Sequence, residues 1–308
     1  MRSDVILSFE LIITEQVMKR KLKIYINGKI LQEDKAMVSI FDRGFLFGDG
    51  AFETMRAYKG SVFKLDEHIK RLIYSLEALR IKPPSQLINI FFLINRVLKK
   101  NKLKDAYIRV GVTRGLSDGG FEIVNRIKPT FYIIARPFKP YPESWYKKGV
   151  ETAIVSIRKI PSSSFNSKLK THNFLPNIMA RIEARDKGVF EGILLNENGY
   201  ICEGAVSNIF FVKDNMLLTP SLHNDILPGI TRQTVIEVAK RLGIKVREGK
   251  FKIGFLFRCN GCFLTNSLME IMYVRRVNSF SLGNGRPDKI TEAIASFYRE
   301  LVNPGSSK

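Results

Sequence analysis

The sequence predicts an α/β protein, α+β-like in its detail, that forms two domains around mixed sheets. Its 308 residues are enough for two domains with a hydrophobic core each. Strand and helix patterns are interspersed in both halves, without the regular strand–helix–strand repetition of a parallel sheet. Pro137, Pro140 and Pro142 fall within six residues, which is typical of a stiff linker between domains.

This linker divides the chain. We expect an N-terminal extension at residues 1–22, a small α/β domain at 23–137, an interdomain linker at 138–147 and a large domain at 148–308. Glu10 interrupts the apolar stretch Val5–Ile13, which is too short for a membrane span, so we predict neither a signal peptide nor a membrane partner. Three cysteines without a secretion signal indicate the reducing cytoplasm.

The elements of the first half follow from turns and periodicity. Alternation around the Asn27-Gly28 turn predicts a β-hairpin over Lys23–Ile30. Apolar residues at helical spacing predict a helix over Leu65–Leu79, which ends before Pro83, and a second helix over Pro84–Lys100. Strands are predicted at Ala51–Tyr58, Ala106–Thr113 and Thr130–Ala135.

The second half contains more strands. They are predicted at Glu151–Ile157, Gly192–Asn196, Tyr200–Glu203, Ile209–Lys213, Met216–Leu218 and Cys262–Thr265. Asn198-Gly199 and Asp214-Asn215 are turn pairs that connect neighbouring strands as hairpins. Helices are predicted at Leu175–Lys187, Thr231–Leu242 and Lys289–Val302.

Composition and short motifs narrow the class of function. The formal net charge of +21 favours an anionic partner. A basic nucleic-acid-binding protein without enzymatic activity is one alternative, but it requires clustered basic residues with exposed aromatics between them. Lys and Arg are instead spread along the chain, so we expect a basic surface and no nucleic-acid partner. Cys259 and Cys262 have CxxC spacing but no second ligand pair, so we predict no metal site.

Two charged residues are candidates for chemistry. Lys170 precedes a predicted helix within FNSKLKTHNFLPN, among polar and aromatic residues near the seam between the domains. A lysine at such a place can form a Schiff base, although the same pattern also fits a surface lysine. Glu203 ends an otherwise apolar strand, where a carboxylate needs a partner unless it faces solvent.

Three further segments are typical of phosphate contacts. Ile230 and Thr231 lie where a loop enters a helix, and free N–H groups at a helix N-terminus suit a phosphate, although Thr231 is also an ordinary N-cap. Ser267, in LTNSLME after a strand, supplies a hydroxyl that would complete a phosphate site. Arg56 ends the glycine-rich DRGFLFGDGAFETMR and is a candidate phosphate-directed arginine.

Together, these five segments resemble the class IV family of pyridoxal-phosphate (PLP) enzymes. The family includes branched-chain aminotransferase, D-amino-acid aminotransferase and 4-amino-4-deoxychorismate lyase. The resemblance runs from about Lys23 to Val302, and its most specific part is EGxxSNIF followed about twenty residues later by LPGITR. It implies a class IV PLP-enzyme fold of two domains with PLP in the interdomain cleft, a small-molecule amino substrate and a homodimer.

The resemblance also implies roles for single residues. Lys170, with Asn173 three residues later, takes the place of the Schiff-base lysine that moves the substrate's α-proton, whereas the rival Lys168 lacks that asparagine. Glu203 matches the glutamate that pairs with the pyridine nitrogen. The residues that match contacts to the cofactor phosphate are Arg56, Ile230, Thr231 and Ser267.

The member of the family is predicted from motif detail. FGDGAFETMR, LKTHNFLPN and TNSLMEI are most similar to aminodeoxychorismate lyase, which converts 4-amino-4-deoxychorismate to 4-aminobenzoate and pyruvate. The alternative is a branched-chain-like L-amino-acid aminotransferase that uses 2-oxoglutarate. Tyr107-Ile108-Arg109 resembles the YIR strand of those enzymes, but they commonly have GTAAE where this chain has Asn266–Glu270. Phe45 and Arg109 are candidate substrate contacts in either case.

Overall fold

The computed structural model describes residues 21–123, 127–283 and 285–303. The predicted extension at residues 1–22 therefore lies outside the described residues except for its last two. The strands are β1 (Lys23–Ile26), β2 (Lys29–Gln32), β3 (Gly50–Tyr58), β4 (Ser61–Val62), β5 (Ala106–Thr113), β6 (Thr130–Pro137), β7 (Val150–Arg158), β8 (Glu191–Leu195), β9 (Ile201–Gly204), β10 (Asn208–Lys213), β11 (Met216–Pro220), β12 (Val246–Gly249), β13 (Gly261–Asn266), β14 (Glu270–Val277) and β15 (Phe280–Ser281).

The helices lie between these strands and at the C-terminal end of the described chain. They are α1 (Arg43–Phe47), α2 (Leu65–Ala78), α3 (Ile90–Asn101), α4 (Glu143–Lys148), α5 (Leu175–Asp186), α6 (Ile230–Arg241), α7 (Ile253–Leu256) and α8 (Lys289–Val302). Short 3-10 helices occur at Glu33–Lys35 and Ser85–Asn89. No helix among the described residues has the length and apolar character needed to cross a membrane.

The first sheet is built from β1 to β6 in the order β2-β1-β6-β5-β3-β4. All of its pairs are antiparallel, so the mixed sheet that we expected in this half is not found. The apolar stripes of α2 and α3 cover one face, where Leu72, Leu76 and Ile94 pack against Met55 and Ile108 of the strands. Burial of these side chains removes apolar surface from water and fixes both helices on the sheet.

The second sheet has the order β12-β11-β10-β13-β14-β7-β8-β9, with β15 on the side of β14. It is mixed as predicted, because β11–β12, β14–β7 and β7–β8 are parallel and its other pairs are antiparallel. Helix α5 packs on β7 and β8, and its Ala180 and Ala184 are buried there. Helices α6 and α8 cover another part of the sheet, where Val235 and Ile294 are buried.

Several predicted elements differ in detail. The helix expected over Pro84–Lys100 is divided into the 3-10 helix Ser85–Asn89 and α3 (Ile90–Asn101), and Pro84 itself is extended, with φ −60° and ψ 136°. The predicted linker contains α4, and β14 was not predicted. The two sheets divide at the expected place, between Pro137 and Val150. The division into two domains stays a prediction.

A short backbone contact joins the second half of the chain to the first sheet. Strand β4 pairs only with the end of β3, so the beginning of β3 is an open edge. There Phe52 N–H donates to the Lys170 carbonyl at 3.0 Å, and His172 N–H donates to the Gly50 carbonyl at 2.9 Å. Ala51 and Thr171 thereby form an isolated antiparallel bridge. The segment around Lys170 is therefore fixed between the two sheets.

Candidate active site

A cavity of about 620 Å³ opens between the sheets beside this bridge. Its wall combines the beginning of β3, the middle of β5, the segment around Lys170, the end of β9, the start of α6 and the turn after β13. Six of the eight residues that the sequence singled out line it, namely Arg109, Lys170, Glu203, Ile230, Thr231 and Ser267. Asn173 lines it as well, whereas Lys168 does not.

Lys170 lies among aromatic rings. Its Nζ stands 4.7 Å from the centroid of Phe52 and 5.7 Å from that of Phe174. Its backbone N–H donates to Ser75 Oγ of α2 at 3.2 Å, which adds a second anchor to the bridge with β3. Burial and the nearby Arg71 guanidinium lower the pKa of Lys170 to about 8, so about a tenth to a fifth of the amine is neutral near physiological pH, far more than for an ordinary lysine.

Glu203 is held by three donors at the end of β9. Lys159 Nζ donates to Oε1 at 2.7 Å, while Asn208 Nδ2 and the Leu227 N–H donate to Oε2 at 3.0 and 3.1 Å. Burial lowers the pKa of Lys159, but the Glu203 carboxylate outweighs this and raises it overall. Sequence analysis missed Lys159, because it is 44 residues away from its partner.

The start of α6 and the turn after β13 present groups that suit an anion. Gly229 is the N-cap of α6 and no side chain caps this helix, so the first N–H groups have no side-chain partner at the cavity wall. Ser267 Oγ lies across from it, 3.4 Å from His68 Nε2. Burial lowers the pKa of His68, which keeps its ring neutral.

Arg71 of α2 is a cation that lies beside the start of α6. Its Nε and Nη2 donate to the two oxygens of the fully buried Glu53 at 2.7 and 2.8 Å, and its Nη1 donates to the Pro228 carbonyl at 2.8 Å. Burial raises the pKa of Glu53, but Arg71 and His68 together hold it well below its usual range. Arg71 lines the cavity and was missed by sequence analysis. The sequence feature that could have indicated it is Glu53, because a carboxylate in a buried strand requires a cation beside it.

Arg56 does not line this cavity, and the structure therefore corrects its predicted place. Its Nη1 donates to Glu270 Oε1 at 2.6 Å, and its guanidinium lies over the rings of Tyr58 and Phe138. Arg56, Phe138 and Glu270 line a separate cavity. The reason is strand length, because four residues of β3 place Arg56 about 13 Å beyond Phe52.

Phe45 is also outside the cavity. It lies on α1, the residue is 72% exposed, and it does not line the cavity. Arg109 of β5, in contrast, reaches the cavity, and its guanidinium lies 3.7 Å from the centroid of Phe52. Lys170 and Arg109 thus both make cation–π contacts with the Phe52 ring.

Comparisons with known proteins agree with this geometry. A putative branched-chain-amino-acid aminotransferase of Methanocaldococcus jannaschii is 38% identical over 91% of this chain and 96% of its own length. The aminodeoxychorismate lyase of Bacillus subtilis is 36% identical over 91% of this chain and 94% of its own length.

Solved structures give the same result for the fold. The branched-chain amino acid aminotransferase of Escherichia coli superposes with a TM-score of 0.88 at 30% identity, covering 92% of this chain and 95% of that one. The branched-chain aminotransferase of Thermoproteus uzoniensis, solved with norvaline, has a TM-score of 0.86 at 31% identity, with 92% and 95% covered. Residues 50–277 match the family model described as amino-transferase class IV. The chain belongs to the class IV aminotransferase family and has its fold.

Proposed function

We propose that the chain binds pyridoxal 5'-phosphate in the 620 Å³ cavity, with Lys170 as its Schiff-base partner. The observation that carries this proposal is the placement of a lysine of lowered pKa, a buried carboxylate and an uncapped helix N-terminus on one wall. These groups fit the aldehyde, the ring nitrogen and the phosphate of the cofactor. A related aminotransferase, of T.th., was solved with N-(5'-phosphopyridoxyl)-L-glutamate at 27% identity and a TM-score of 0.86.

Each residue then has a separate task. When bound, PLP supplies an electron sink for the substrate's α-carbon. Glu203, oriented by Lys159, would accept a hydrogen bond from the protonated ring nitrogen, and Arg71 and the first N–H groups of α6 would bind the phosphate. Lys170 would hold the cofactor, and its free amine would move the α-proton as general base. Arg71 replaces Arg56 in this assignment.

The first candidate reaction is the aminodeoxychorismate lyase reaction. The turn after β13 supports it, because Asn266 Oδ1 accepts the N–H groups of Leu268 and Met269, both at 2.8 Å. In the GTAAE pattern of branched-chain aminotransferases a glycine stands at this position, and glycine has no side chain to accept them. The Asn266 side chain therefore bonds two backbone N–H groups of its own turn, which the glycine of the GTAAE pattern cannot do. The Bacillus subtilis relative is named for this lyase activity.

Transamination of L-amino acids is the second candidate. The Methanocaldococcus jannaschii relative supports it, as does the cavity wall, where Tyr107 and Arg109 lie beside Phe52 and Phe174. Aromatic rings suit an apolar side chain, and an arginine suits the carboxylate of 2-oxoglutarate. Both reactions use the same lysine and the same ring, so the site alone supports both.

We also propose that the chain is a homodimer in the cytoplasm. Phe45 belongs to an exposed apolar patch, and such patches mark interaction surfaces on soluble proteins. Its members lie on two neighbouring segments of the first half, and they are Met37, Val38, Ile40, Phe41, Phe45, Leu116 and Phe121. A second copy of the chain would cover this patch.

The lowered pKa of Lys170 predicts its reactivity in the cofactor-free protein. An amine reacts with acylating reagents only when it is neutral, so labelling of Lys170 should reach half of its maximum near pH 8. A solvent-exposed lysine in an added reference peptide should reach its own near about pH 10.4. Competitive acetylation at a series of pH values, read by peptide mass spectrometry, measures both. Lys170 labelling that rises only together with that of the reference peptide would contradict the environment described.

Two arginine variants test the phosphate assignment. Arg71→Lys keeps the charge but loses the bidentate geometry, so PLP should bind about tenfold more weakly. Arg56→Lys is the matched control, since Arg56 lies outside the cavity, and it should bind PLP like the wild type. Equilibrium titration of the apoprotein with PLP gives both constants. A loss in Arg56→Lys with none in Arg71→Lys would restore the original assignment.

A paired assay separates the two reactions. The holoenzyme is incubated with aminodeoxychorismate alone and, separately, with leucine plus 2-oxoglutarate. We expect pyruvate and 4-aminobenzoate in the first reaction without any keto acid. Glutamate formation in the second reaction, with no product in the first, would replace the lyase by the aminotransferase.

A further inference from the structure

A second cavity, of about 670 Å³, lies beside α8 and is separate from the active site. Its wall combines the end of β3, the chain from Phe138 to Lys148, the beginning of β14, residues 285–287 and α8. Among the described residues, none lines both cavities. Concave sites of this size hold small molecules, so the second cavity is a candidate for a ligand of its own.

The charged side chains of this second cavity are mostly basic. The acidic residues that line it are Glu143, Glu270 and Glu292. The basic residues are Arg56, Lys147, Lys148, Arg275, Arg286 and Arg299. The low-dielectric walls of a cleft concentrate the field of such charges, so an excess of cations attracts an anion.

Two of the basic residues are not paired with a carboxylate. Arg56, Lys147 and Arg275 each form an ion pair with a glutamate. Lys148 and Arg299, which we call the rim cations, are exposed and form none within the part of the chain that the structure describes. In that same part, Arg299 donates only from Nε, to a carbonyl of its own helix at 3.2 Å, so its terminal nitrogens remain available to an anion.

Arg56 is the most buried cation of this cavity, with a side chain that is 14% exposed. Its guanidinium lies between the rings of Tyr58 and Phe138, and among the described residues only Nη1 has an acceptor, the carboxylate of Glu270. Nε is buried without an acceptor, whereas Nη2 lacks one and is not buried. Unsatisfied donors on a largely buried side chain are uncommon in folded proteins. An anion in the cavity would supply the acceptor that Nη2 lacks.

The wall of the second cavity also supports the turn after β13. The Tyr146 hydroxyl donates to the Met269 carbonyl at 3.2 Å, and Glu270, the partner of Arg56, follows directly. The other end of this turn, residues 266–268, lines the active site. A substitution of Tyr146 or Glu270 would therefore also reach the active site, whereas the rim cations form no hydrogen bond to this turn in the described chain.

We propose that the second cavity is a binding site for a small organic anion with two or more negative charges, held by the rim cations and Arg56. Phosphate esters and di- or tricarboxylates share this chemistry, and both accept charge-assisted hydrogen bonds from arginine and lysine. A multivalent anion is favoured over a monovalent one because several cations line the same cavity. This site is distinct from the active site and does not depend on the reaction proposed for it.

Calorimetric titration of the PLP-loaded protein with pyrophosphate, and separately with citrate, tests the site, because bound PLP occupies the groups of the first cavity. The double variant Lys148→Gln/Arg299→Gln removes both rim cations, so the anion should bind about tenfold more weakly or worse. Lys99→Gln/Lys100→Gln removes the same charge from exposed positions on α3 and should bind it like the wild type. Tighter binding of pyrophosphate would assign a phosphate ester, and tighter binding of citrate a carboxylate.

A second variant fills the cavity and keeps its charge. Ala295 of α8 lines the cavity, so Ala295→Leu should weaken binding of the same anion, whereas Ala293→Leu, exposed on the same helix and outside the cavity, should not. No binding of either anion, or an equal loss in the α3 variant, would overturn the inference. Protein that takes up no PLP would contradict the proposed function alone, since the same variants can then be compared without the cofactor.

Discussion

The site depends on one backbone contact between distant parts of the chain. The open edge of β3 takes up residues 170–172 as a short antiparallel bridge, with hydrogen bonds of 3.0 and 2.9 Å at its two ends. A lysine side chain is long and flexible, and ordering it costs up to about 2 kcal/mol in rotamer freedom. Because the backbone on both sides of Lys170 is anchored, the position of the amine is set by the fold and only its own torsions remain to be ordered.

The carboxylates around the cavity are paired with cations, but one of the cations is not paired with a carboxylate. Glu203 lines the cavity and pairs with Lys159, and Glu53 lies behind its wall and pairs with Arg71. Burying them unpaired would be far more costly than burying them as pairs. Arg109 has no carboxylate partner among residues 21–123, 127–283 and 285–303. The cavity is therefore cationic before any ligand enters, which attracts phosphates and carboxylates.

Local sequence patterns predicted many of the elements and most of the residues that line the cavity. Alternation, turn pairs and helical periodicity located the hairpin of β1 and β2 and the helices α2 and α6, because these signals arise within a few residues. The start of α6, which lines the cavity, was located for the same reason. The order of the strands and the wholly antiparallel first sheet are set by contacts between remote segments, which periodicity does not report.

What sequence analysis missed depends on such remote pairs. Arg71 belongs to the site through Glu53, 18 residues earlier, and Lys159 through Glu203, 44 residues later. A buried carboxylate in a sequence indicates that a cation must lie beside it. The sequence does not identify which lysine or arginine that cation is. Arg56 was chosen because it follows a glycine-rich segment, and the extended rise of β3 places it beyond the cavity.

The most direct test of the account is the identity of the lysine that carries the cofactor. Borohydride reduction of the PLP-loaded protein fixes the Schiff base covalently, and peptide mapping then locates the tag. We predict a single pyridoxyl group on Lys170, with Lys159 and Lys168 unmodified. A tag on either of these neighbours, on another residue, or no tag at all would contradict the account.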